Sequence, residues 1–90
     1  MRLHSIGFDL HHTEQISAPI VHRLIQLDAK PFLAPVWMLR SPANVWEVRQ
    51  DLLRYLHITK DRLIVADVTS APLAWHNIDI KGSPFARLSE

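Results

Sequence analysis

The chain has 90 residues, 48% of them apolar and 21% charged, with ten Lys and Arg against nine Asp and Glu. That length fits one small domain whose core leaves much surface uncovered, so at least a dimer is expected. The lack of cysteine excludes disulfides, thiolate zinc sites and a cysteine nucleophile, and the net charge of +1 excludes the dense basic footprint of strong non-specific DNA binding.

Met1 to Ser5 open no apolar run of signal-peptide length, and no stretch approaches the ~18 residues of a membrane span. A cytoplasmic protein without a membrane partner is expected.

Arg2 to Leu10 reads as a first strand that carries Leu3, Ile6 and Phe8 and runs out at Asp9. A polar turn from His11 to Gln15 follows. Ile16, Ile20, Leu24 and Leu27, widened by Val21 and Ile25, then recur at helical spacing. Thr13 with Glu14 behind it, or Ser17 with Pro19 in the first turn, can cap this helix, and the earlier start with an irregularity at Pro19 is favoured. The run from Phe32 to Leu39 suits a second strand interrupted at Pro35. Ser41 as N-cap and Pro42 at the first helical position predict a second helix along Val45, Val48, Leu52 and Leu56, ending near Leu56 or His57. Arg62 to Thr69 is a β-branched strand broken by Ser70-Ala71-Pro72, and Leu73 to Ile80 supplies a further strand.

Taken strictly, the order is β-α-β-α-β-β. It also fits the split βαβ layout if residues Pro31 to Ser41 form a hairpin bent at Ala34-Pro35. The expected fold is therefore α+β, a ferredoxin-like β-α-β-β-α-β domain over residues 1–80. It has an antiparallel sheet with two helices on one face, an extra C-terminal strand for dimerisation, and a tail over residues 81–90.

Asp9 is the first candidate for chemistry, because a carboxylate at a strand end can meet its symmetry mate across a dimer axis and share a hard divalent cation. The plainer role is to accept backbone N–H groups in the turn. His11 and His12 follow it, and in a loop one of them, His11, can join Asp9 at a metal. His4, His22, His57 and His76 are scattered and show no ligand spacing. With glycine only at 7 and 82, neither a nucleophile elbow nor a phosphate-cradling loop can be built. Arg40, Arg49 and Arg54 are candidates for nucleic-acid phosphates, although Glu47 and Asp51 interleave with them as on a solvated face. Trp37, Trp46 and Trp75 are first packing residues. Trp46 is placed at the border of its helix stripe, and Trp75 and Ile78 are placed at a dimer interface.

The run IGFDL ending a first strand, then a helix, PVWML, Ser41-Pro42, a second helix and RLIVADV resembles the Cas-two family, the small adaptation subunit of CRISPR systems, and its uncharacterised bacterial relatives. The likeness spans roughly residues 3–69. It implies a ferredoxin-like dimer joined through its sheets, with C-terminal strands added across to the other subunit. It also implies a role for Asp9, which matches the aspartate assigned in some members as a magnesium ligand of a nuclease, while other members serve as a DNA scaffold. The expected function is a homodimeric interaction or scaffold protein, linked to mobile-element defence by that resemblance and requiring no cofactor, with a protein partner and weak nucleic-acid contact. The alternative is a magnesium- or manganese-dependent endonuclease acting on RNA or DNA, toxin-like, with Asp9 catalytic and paired at the dimer interface.

Overall fold

The computed structural model describes residues 1–11, 18–33, 36–72 and 74. The elements are β1 (Arg2–Asp9), α1 (Pro19–Gln26), β2 (Lys30–Leu33), β3 (Val36–Ser41), α2 (Val45–Leu53) and β4 (Arg62–Asp67). The strands form one sheet in the order β2-β3-β1-β4, with antiparallel neighbours throughout. Each helical connection therefore spans one intervening strand: α1 leads from β1 to β2 across β3, and α2 leads from β3 to β4 across β1.

Successive strand side chains point to opposite faces, so the alternation along β1 divides the molecule. Ile6 and Phe8 join Leu39, Trp37, Leu63 and Val65 on one face. Ile20, Val21 and Leu24 from α1 and Val48 and Leu52 from α2 close this core, which puts both helices on the same side of the sheet. Leu3 and Met38 belong to the other face, with Phe32, Val36 and Val68 against them. Among the described residues no helix packs there. His4 shares the helix side and is fully buried, its Nε2–H donating to the Ala43 carbonyl at 2.8 Å, which seats the β3–α2 loop on the sheet.

Helix α1 begins later than expected. Ala18 is its N-cap, in the extended conformation that a following proline imposes, and Pro19 stands at the first helical position, where its missing N–H is no loss. The favoured early start with an irregularity at Pro19 is thus corrected; Thr13 and Ser17 lie outside the described residues. The helix ends in a Schellman motif. Ala29 N–H donates to the Leu24 carbonyl at 2.9 Å, Asp28 N–H donates to the Ile25 carbonyl at 3.0 Å, and Asp28 takes a φ of 62°.

The interruption at Pro35 becomes a hairpin, with β2 and β3 on either side of residues 34 and 35. Pro31 sits in β2 at the sheet edge, where an absent N–H is tolerated, and the pairing shifts register between Pro31 and Leu33. Ser41 is not a helix cap. It is the last residue of β3, paired with Arg2, and its hydroxyl accepts from Ala43 N–H. The cap is Asn44, which forms a reciprocal capping box with Glu47: Glu47 N–H donates to Asn44 Oδ1 at 2.9 Å and Asn44 N–H donates to Glu47 Oε1 at 3.0 Å. Helix α2 ends at Leu53, short of the expected Leu56 or His57, and Tyr55 and Leu56 reach the core from the turn that follows.

The two helices are joined by Arg23, whose guanidinium forks onto Asp51 at 3.0 and 2.8 Å and lies 5.9 Å from the Tyr55 ring centre. The strand expected over 73–80, the dimer residues Trp75 and Ile78 and the tail 81–90 lie outside the described residues, apart from Ala74. Among the described residues no helix is long and apolar enough to cross a membrane.

Leu24 is fully buried where α1 meets the sheet, and Leu24→Ala is expected to lower stability by about 2–5 kcal/mol. Asn44→Ala removes only the cap and should cost about 1 kcal/mol. Urea denaturation of both variants, with unchanged slope, checks the difference between a cavity and a lost cap.

Candidate functional site

Of the residues singled out for chemistry, Asp9 and His11 lie where β1 ends and β4 begins, and His12 lies outside the described residues. Asp9 pairs with Arg62 in the ladder and is exposed at the strand end, as the sequence led us to expect. By the alternation that places Leu3 on the helix-free face, Asp9 belongs to that face too. It borders a shallow depression of about 260 Å³ lined by Gly7, Phe8, Asp9, Arg62, Leu63 and Ile64. Gly7 leaves this spot open, since a Cβ there would stand 3.2 Å from Ile64 Cγ2.

His11 bonds to Asp61, an aspartate that sequence reasoning passed over. The His11 ring Nδ1 lies 2.5 Å from Asp61 Oδ1, and the His11 backbone N–H donates to the same oxygen at 2.9 Å. The other carboxylate oxygen accepts the His57 N–H at 2.8 Å. The two imidazoles meet edge to face, with ring centres 5.3 Å apart, and Thr59 Oγ1 stands 3.3 Å from His57 Nδ1. The Asp61 side chain is only 8% exposed. Burial alone would raise its pKa, but the His11 ring and the backbone N–H groups of His11 and His57 together hold the carboxyl well below the usual carboxylate range.

His11 and Asp61 are 50 positions apart, so no local spacing could reveal the cluster. The one route to it is the β1–β4 register, which sets Asp9 opposite Arg62 and so brings the residues flanking that pair together. His57, read as scattered, is a member. Among the described residues no group of three or more His, Asp or Glu side chains is arranged to hold a metal ion.

A second carboxylate lies at the opposite end of β4. Asp67 accepts the hydroxyl and backbone N–H of Thr69 and the Arg2 guanidinium, and these bonds, Thr69 first, hold its carboxyl well below the usual range. Thr69 Oγ1 in turn accepts Leu3 N–H at 2.9 Å, so this cluster fastens the start of β1 to the end of β4.

The three arginines do not share a surface. Arg40 alternates with Met38 onto the helix-free face, whereas Arg49 and Arg54 are exposed on and just after α2, on the other side of the sheet. Asp51 is committed to Arg23 and Glu47 to the capping box, so the interleaving acids have structural duties. Trp37 packs against the core, while Trp46 is 71% exposed rather than at the border of the helix stripe, because it precedes Val48 and Leu52 on the outward side of α2. Compared with known proteins, the chain matches no family model, no curated protein and no solved structure.

Asp61 supplies its stability where the carboxyl is ionised in both states, above the unfolded value of about 4, and loses it as pH falls toward the depressed folded value. Asp61→Asn is therefore expected to destabilise by about 1–3 kcal/mol at pH 7. The gap from wild type should narrow at pH 3, as measured by urea midpoints at both pH values.

Proposed function

We propose that the protein is a ferredoxin-like homodimeric scaffold of the Cas-two type that joins two copies through the helix-free face of the sheet. The observation that carries this reading is on that face, where Leu3 and Met38 are buried among Phe32, Val36 and Val68 and Ile64, on the neighbouring strand, stands 67% exposed. The element order and the placement of both helices on one face support the ferredoxin-like assignment. Balanced charge and the divided arginines favour a protein contact over an extended nucleic-acid track, and leave nucleic acid a weak partner. The resemblance in IGFDL, PVWML and RLIVADV is what ties the dimer to mobile-element defence.

Ile64 lends itself to a test because its loss costs the monomer little. Wild type is expected to run as a dimer in light scattering at tens of micromolar, and Ile64→Glu as a folded monomer with unchanged circular dichroism. A wild-type monomer across that range, or a variant that stays dimeric, refutes assembly through this face.

A second reading, a magnesium- or manganese-dependent endonuclease, is favoured by the position of Asp9, exposed on the same face at the rim of the depression. One chain brings a single carboxylate there, and His11 is engaged with Asp61, so the described residues of one copy do not make a metal site. The reading needs Asp9 from two copies. It is tested by cleavage of RNA and DNA with added magnesium or manganese, which should vanish in Asp9→Ala while the fold and the dimer persist.

A further inference from the structure

Two opposite charges stand side by side on the helix-free face. Asp9 and Arg62 are direct partners in the β1–β4 ladder, both belong to that face, and both are exposed. Among the described residues neither side chain takes part in an ion pair, whereas Asp28, Asp51 and Asp67 each have one. Further along the same ladder Gly7 pairs with Ile64, which is 67% exposed, and Ser5 pairs with Ala66. Each pair is complementary within itself: opposite charges, a bulky side chain beside none, and two small residues.

We propose that a second copy of the chain docks here about a two-fold axis running along the sheet between β1 and β4. Asp9 of each copy then bonds to Arg62 of the other, and Ile64 of each lies over Gly7 of the other. The proposal rests on the reading of this face as the dimer surface, and it assigns the contacts that the surface makes.

A two-fold axis that lies between facing sheets, midway between two strands, sets each residue opposite its own ladder partner in the other copy. Such an axis is favourable only where ladder partners suit one another, as these pairs do. Sheets packed face to face stand about 10 Å apart, so a side chain from one needs room on the other. Gly7 gives that room to Ile64, in the depression that Asp9 and Arg62 border, and Ser5 and Ala66 keep the neighbouring contact thin. An axis laid along β1 instead brings the two Asp9 carboxylates together and leaves both Arg62 groups outside, a repulsive contact unless a cation lies between them.

Asp9 and Arg62 stand at the solvent-facing end of the contact, where removing one charge changes affinity little, so the test reverses charges. Association of wild type, Asp9→Arg, Arg62→Asp and an equal mixture of the two variants is measured by sedimentation at low salt in EDTA, with circular dichroism as the check on folding. Each single variant alone sets like charges against each other twice, and its Kd should rise about 100-fold. The mixture sets the two arginines of one variant against the two aspartates of the other, and its Kd should return to within about tenfold of wild type. The combined variant Asp9→Arg/Arg62→Asp should dimerise as well. A charge pair confined to one chain's own ladder is mended by that combination but not by mixing. Single variants that dimerise as wild type does, or a mixture that stays monomeric, overturn the proposal. If Ile64→Glu is monomeric in that case, assembly through this face stands with other contacts; a wild-type monomer overturns both.

Discussion

Strand β1 is paired along both edges, with β3 over Arg2–Gly7 and with β4 over His4–Asp9, and this two-sided pairing sets where almost every other side chain falls. A one-residue slip would turn Ile6 and Phe8 away from the helices and carry Leu3 into them. The register is held at both ends by polar clusters rather than by apolar contacts alone. Thr69 and Asp67 grip Arg2 and Leu3, and Asp61 grips the His11 that follows the strand. The candidate chemistry thus sits on one of the two fastenings that define the fold.

The helix layer shows a comparable division of labour. Apolar residues of both helices fill the core over β1, while the Arg23–Asp51 fork sets one helix against the other at the periphery. The fork is partly exposed, so its value lies in geometry more than in energy. The helix side also carries exposed groups, with Ile25 on α1 and Trp46 and Arg49 on α2.

Much of this framework was legible along the chain. The apolar runs marked β1 and β4, helical spacing marked Ile20 and Leu24, and Pro35 marked the hairpin, because each signal is local. The helix boundaries were less so. Ser41-Pro42 has the form of a helix entry, but pairing with Arg2 draws Ser41 into the sheet and passes the cap to Asn44, whose partner Glu47 stands at the capping-box spacing. The placement of Asp9 at a strand end could be read directly. The His11–Asp61–His57 cluster could not, since it exists only once two distant strands have found their register.

The Schellman turn at the end of α1 bears on how this chain can vary. Asp28 holds a left-handed conformation in a protein whose glycines stand at 7 and 82, and Ala29, the next residue, is both the motif's donor and a buried member of the core. The chain enters β2 at Lys30 with no slack between them. An inserted residue would have to break the motif or pull Ala29 out of the core. The first helix and its following strand should therefore be inherited as a unit of constant length.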